Sequence, residues 1–113
     1  MEFDANKPIY IQIADNICER ILAGEFAPGG RIPSVREWGM TIGVNPNTVA
    51  RSYEVLEGRR ILFNQRGIGF FVSESATEVI RETERRKFIE EELPALRSRA
   101  ALLGIDLKDY IHE

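Results

Sequence analysis

The chain has one cysteine and one histidine in 113 residues. A lone cysteine cannot close an internal disulfide, and with a single histidine it leaves a zinc site short of ligands. No apolar run approaches the ~18 residues of a membrane span. The opening residues, MEFDANKP, are acidic and lack the apolar core of a secretory signal. The expectation is a cytoplasmic protein with no membrane partner. Catalysis is equally short of material. His112 stands beside the C-terminus and Cys18 falls on a core-facing helix, so no Ser/His/Asp or Cys/His arrangement can be assembled from them. Gly67-Ile-Gly69 is a weak phosphate-loop look-alike, because strands rather than a strand and a helix are predicted to flank it. Glu90-Glu-Glu92 reads as a solvated helix face, not a metal site. The chain is expected not to be an enzyme and to hold no cofactor or metal.

What is present is a globular composition, 43% hydrophobic and 29% charged. The length suits one domain, or a small domain with an appendage, and is enough for a real core. The net charge of −3 is unevenly spread. Residues 1–73 balance eight basic against eight acidic side chains, so residues 74–113 supply the whole excess. Within 31–66, six arginines face Glu37, Glu54 and Glu57. A local basic patch on an acidic chain points to a directed anionic partner.

A first helix is predicted from Pro8, with Ile9, Tyr10, Ile13, Ala14, Ile17 and Ile21 on one side and Gly24 as its stop. Cys18 borders that face as a small core residue. Pro28, Gly29 and Gly30 break the chain. Ser34-Val-Arg-Glu37 has capping-box spacing and opens a second helix, whose inner face holds Val35, Trp38, Gly39 and Ile42. Glycine there weakens a helix by about 1 kcal/mol against alanine, which makes sense only if another element approaches closely. Asn45-Pro46 starts a third helix as cap and first residue. Val49, Tyr53 and Leu56 cluster on one side of it, and Asn47, Thr48, Arg51 and Ser52 are assigned to the other. Two short helices joined by a tight turn form a helix-turn-helix.

Beyond Ile61 the period changes to that of strands. Ile61–Gln65 and Gly69–Val72 are predicted to form a hairpin around Arg66-Gly67-Ile68. Helix, helix-turn-helix and hairpin is the order of a winged helix. Ser75-Ala-Thr-Glu78 then opens a long polar helix. Ile89, Leu93, Leu96, Ala100, Leu103 and Leu107 recur at alternating spacings of four and three, a heptad seam. The seam keeps phase across Pro94, which favours one kinked helix over two separated by a loop. Gly104 is expected to break it, and Asp106 to cap a last short helix.

Four stretches carry a family resemblance. Pro8-Ile-Tyr-Ile-Gln-Ile-Ala and Gly24-Glu-Phe-Ala-Pro-Gly-Gly-Arg-Ile-Pro-Ser-Val-Arg-Glu37 resemble the first half of a GntR-type DNA-binding domain. Gly43-Val-Asn-Pro-Asn-Thr-Val-Ala-Arg-Ser-Tyr-Glu-Val-Leu56 and Arg66-Gly-Ile-Gly-Phe-Phe-Val72 resemble its second half. The Asn-Pro-Asn-Thr run and the short tail are similar to the YtrA subfamily. This resemblance implies a transcription regulator, usually a repressor, that binds a two-fold symmetric operator as a homodimer. Many relatives carry arginine where this chain has Pro46 and Ala50, and leucine and alanine where it has Trp38 and Gly39. Its operator therefore cannot be borrowed from theirs. Other branches append an effector domain of well over a hundred residues, for which the tail after Val72 is too short.

The expected fold is mostly α with a small β-hairpin. Residues 1–73 are expected to form the winged helix-turn-helix and 74–113 a helical dimerisation arm. Candidate contacts to double-stranded DNA are Arg36, Asn45, Asn47, Thr48, Arg51, Arg66 and Gly67. Candidate dimer contacts are Ile89, Leu93, Leu96, Ala100, Leu103 and Leu107. The competing reading is a winged helix used for protein–protein contact, which would lack the steep salt dependence of DNA binding.

Overall fold

A computed structural model describes residues 1–112. The chain divides into two compact units, residues 1–80 and 81–113. In the first, α1 (Ile9–Leu22) begins after Pro8, which serves as the N-cap rather than as the first helical residue. Its carbonyl accepts from the N–H groups of Ile11 and Gln12. Ile13, Ala14, Ile17, Cys18 and Ile21 are the buried face. The helix stops at Gly24 (φ 86°), where the Glu25 N–H returns to the Arg20 carbonyl.

Helix α2 (Val35–Ile42) starts in a complete capping box. Ser34 Oγ accepts from the Glu37 N–H at 3.1 Å, and the Glu37 carboxylate accepts from the Ser34 N–H at 3.2 Å. Helix α3 (Pro46–Gly58) follows after one turn. The element that comes close to Gly39 is that turn. A Cβ on Gly39 would stand 2.6 Å from the Val44 carbonyl oxygen and 3.5 Å from Pro46 Cα, so no larger residue fits without moving the helix pair apart. Val49, Tyr53 and Leu56 of α3 are fully buried against α1 and α2. Trp38, a large residue for its position, packs edge-on to Phe26 at 5.6 Å and beneath the Arg20 guanidinium at 4.9 Å.

Strands β1 (Leu62–Gln65) and β2 (Gly69–Val72) pair antiparallel, with Leu62 opposite Val72 and Gln65 opposite Gly69. A third segment extends this hairpin. Arg31 bridges Phe71, the Ile32 N–H donates to the Phe70 carbonyl, and Gly29 and Gly30 exchange bonds with Val72. The sequence gives no sign of this pairing, because a single bridging residue has no period to read. Leu62 and Val72 point into the core, while Phe63 and Phe71 stack on the outer face at 5.6 Å. Helix α4 (Ala76–Lys87) begins directly after Ser75, and its Ala76 and Ile80 complete the core of the first unit.

In the second unit the helical path continues through a π turn, Phe88–Glu92, into α5 (Leu93–Leu102). Lys87, Glu92 and Leu93 all keep right-handed helical angles, so no loop intervenes. Pro94 accounts for the wide turn. It has no N–H to give, and its ring would press on the carbonyl four residues back, as proline does inside any α-helix. A turn closed by the Leu93 N–H on the Phe88 carbonyl widens the backbone just before it. Five-residue closure puts Phe88, rather than Ile89, above Leu93. Past Leu103 the chain turns at Gly104, and the Ile105 N–H bonds the Ala100 carbonyl at 2.9 Å. Asp106 Oδ1 then caps a short 3-10 turn, Leu107–Asp109, by accepting from the Lys108 N–H.

Candidate nucleic-acid interface

The start of α3 is built around Asn45. Its side-chain oxygen accepts from the Asn47 N–H at 2.8 Å, and its carbonyl accepts from Thr48 and Val49. With Pro46 having no N–H, the first backbone donors of this helix are already committed. Any anion contact here must come from side chains, assisted by the positive end of the helix. The Asn45 amide NH2 and the exposed Asn47 side chain are available for that, and Thr48 is half-buried beside them.

Arg51 is exposed one turn further on. Its guanidinium carbon stands 4.0 Å from the centroid of the Tyr10 ring on α1. Ser52 does not belong with it on the outer face, contrary to expectation. It is fully buried, and its hydroxyl donates to the Tyr10 carbonyl at 2.6 Å, with the Thr48 carbonyl at 3.3 Å. Arg36 is exposed in the first turn of α2, next to Glu37. The Glu37 carboxyl is held below its usual pKa, mainly by the Ser34 backbone N–H, then by the Ser34 hydroxyl, with the Arg31 charge adding. Glu37 is thus occupied by the cap and does not pair with Arg36.

Arg66 and Gly67 form the tip of the β1–β2 turn, which the Ile68 N–H closes on the Gln65 carbonyl with Gly67 at φ 81°. Arg31 was not expected here. Its guanidinium lies against Gly69, close enough that a Cβ there would come within 3.0 Å of Nε. The signal in the sequence was only its membership of the basic stretch.

The basic side chains of the first unit divide into two groups. Lys7 and Arg59 reach Asp15, at 3.3 and 3.9 Å, and Arg20 reaches Glu25 at 2.6 Å. Among the described residues, Arg31, Arg36, Arg51, Arg60 and Arg66 have no carboxylate partner. Tyr53, beneath this surface, donates its hydroxyl to the Pro33 carbonyl at 2.7 Å. Burial, with the Glu37 charge adding, pushes its phenol above the usual value and keeps it a neutral donor. His112 is exposed and Cys18 is buried. Among the described residues no three His, Cys, Asp or Glu side chains gather as metal ligands, and no helix is long and apolar enough to cross a membrane.

The candidate dimer residues fare unequally. Ile89, Leu96 and Leu103 are about half exposed, at 51%, 47% and 58%. Leu93 and Leu107 are partly covered. Ala100 is buried within its own chain, beside the Gly104–Lys108 turn, so it underlies the stripe rather than forming its surface. Phe88, Leu102, Ile105, Tyr110 and Ile111 are exposed apolar side chains that heptad counting left out.

Residues 9–72 match the family described as "Bacterial regulatory proteins, gntR family". The HTH-type transcriptional repressor YtrA of Bacillus subtilis is 38% identical over 109 residues, covering 96% of this chain and 82% of that protein. A putative transcriptional regulator of the GntR family from Bacteroides thetaiotaomicron has a crystal structure similar to this one. Its TM-score is 0.72 and its identity 44%, over 90% of this chain and 88% of that one. AraR(DBD), crystallised in complex with operator ORR3, superimposes with a TM-score of 0.58 and 26% identity, over 65% of this chain and 88% of that one. With its winged helix, its helix-turn-helix and a family match over more than half its length, the chain belongs to the gntR family of bacterial regulatory proteins.

Proposed function

We propose that this chain represses transcription in the bacterial cytoplasm as a homodimer on a two-fold symmetric DNA operator. Helix α3 enters the major groove with Asn47, Thr48 and Arg51. Arg36 and the Asn45 amide hold phosphates alongside. The wing lays Arg66 and Gly67, with Arg31 behind them, on the backbone or the minor groove. The dimer forms through Ile89, Leu93, Leu96, Leu103 and Leu107, with Ala100 beneath.

The observation that carries this reading is the division among the arginines. Arg20 and Arg59 are engaged by carboxylates, whereas Arg36 and Arg51 on the helix-turn-helix and Arg31 and Arg66 on the wing are exposed and carboxylate-free, as is Arg60 just past α3. Unpaired guanidinium groups beside a helix start are suited to phosphate and to the edge of guanine. The AraR(DBD)–operator complex supports the same use of this fold. The test is affinity for duplex DNA selected by the protein from random sequence, measured from 50 to 200 mM salt. Each phosphate neutralised contributes a slope of about −0.9 to log K against log salt. A slope of −3 or steeper supports DNA as the partner. A flat profile, or failure to enrich any sequence, would overturn it and leave protein–protein contact as the use of the fold.

A further inference from the structure

Arg51 and Ser52 are consecutive on α3, and both engage Tyr10 of α1. The buried Ser52 hydroxyl donates to the Tyr10 carbonyl at 2.6 Å, while the Arg51 guanidinium stands 4.0 Å over the Tyr10 ring. Tyr10 is therefore tied to the reading helix at two points, through its backbone and through its ring. The chemistry of the second tie is specific. A carboxylate at that place would fix the arginine but also neutralise it and compete with phosphate. An aromatic face attracts the cation while leaving its charge intact and accepting none of its conventional hydrogen bonds. Arg51 indeed has no carboxylate partner among the described residues.

We propose that Tyr10 is a positioning residue for Arg51. Its ring holds the guanidinium ready for DNA without discharging it, so a residue on α1 helps set the affinity and base selectivity of α3. This rests on the reading that Arg51 contacts DNA. An unsupported arginine must give up several rotamers when it docks, and the ring removes part of that loss beforehand.

The test is a double-mutant cycle on the DNA selected by the wild-type protein, at one salt concentration, with Tyr10→Phe, Tyr10→Leu, Arg51→Ala and the Leu/Ala double variant. Tyr10→Phe keeps the ring and should bind within twofold of wild type. Tyr10→Leu should bind about three- to tenfold more weakly. In the Arg51→Ala background, the leucine substitution should cost less than twofold. Selectivity should also weaken at the same base pair that Arg51→Ala relaxes, which a merely structural defect would not reproduce. Equal losses in both backgrounds would overturn the proposal, showing that Tyr10 acts through the fold or through its own DNA contact. Unchanged affinity in Tyr10→Leu would overturn it too. Should that variant melt below the assay temperature, Tyr10→Met, also unbranched at Cβ and ring-free, takes its place. Wild-type affinity in Arg51→Ala would sink the interface reading itself and this proposal with it, an outcome distinct from a failure of the ring alone.

Discussion

In residues 1–80, Ile13, Ile17, Val49, Tyr53, Leu56 and Val72 join one continuous core. In residues 81–112, Ala100 is the one buried side chain among those described, and Phe88, Ile89, Leu96, Leu102, Leu103, Tyr110 and Ile111 are at least about half open to water. Both units are helical and well formed locally, so propensity is not what separates them. The first unit closes most of its apolar surface on itself, as a small domain must if it is to fold alone. Ile9, Met40, Phe63 and Ile68 are among the exposed exceptions. The second leaves most of its apolar side chains open to water. Exposed apolar side chains of this kind suit an interaction surface, which the proposed second copy would cover.

The largest expected effect strikes the self-contained unit. Leu56→Ala should destabilise it by about 2–5 kcal/mol, the usual cost of a cavity in a packed core. The loss should read as a lower melting temperature with the same shift at every protein concentration. A concentration-dependent shift would blur the distinction between the units. Next, Leu96→Arg should leave the first unit folded but place a charge in the stripe. Sedimentation at micromolar concentration should show a monomer, and affinity for a two-half-site operator should fall about 100-fold as the tethering of the second head is lost. If the variant instead melts early and sediments like wild type, the stripe is core for its own chain.

Smaller effects sharpen the comparison on the DNA side. Arg51→Ala should reduce operator affinity at least about tenfold, with the melting curve nearly unchanged, as for a bidentate base contact. Arg66→Ala should weaken all duplex sequences a few-fold and alike, and lower the salt slope by about one. A loss confined to the selected site would assign the wing to base or shape readout. Smallest is Arg60, a non-glycine residue at φ 63° just past α3. Arg60→Gly should raise stability by about 0.5–1 kcal/mol, since the left-handed angle costs glycine nothing while its added unfolded-state freedom offsets part of the gain. Calorimetry showing a loss would mean the arginine side chain supports the wing.

How much of this was written in the sequence depended on range. The Ser34–Glu37 box and the Asn45-Pro46 start could be read because their chemistry is completed within four residues. The Gly67 turn was legible for the same reason. Ser52 was misplaced by its polarity. The helical wheel puts it about 40° from Leu56, but only the arrival of the Tyr10 carbonyl, 42 residues away, explains why a hydroxyl is buried there. Arg31 on the wing and the Tyr10 ring under Arg51 likewise depend on partners far along the chain. The heptad seam was legible as spacing, but spacing assumes an unbroken 3.6-residue turn, and the widening before Pro94 has no signature in the apolar pattern.

That widening divides the arm into two reading frames. A π turn takes up one more residue per revolution than an α turn, so apolar positions before Phe88 and after Glu92 are counted from different origins. Substitutions within Phe88–Glu92 can change what a partner touches, but the count stays the same. A one-residue deletion there would remove the residue that the wide turn absorbs and merge the frames, with α5 keeping its rotation about the axis. For this arm the grammar includes length as well as letters: a residue added beyond the one that the turn absorbs would offer the proposed second copy another face.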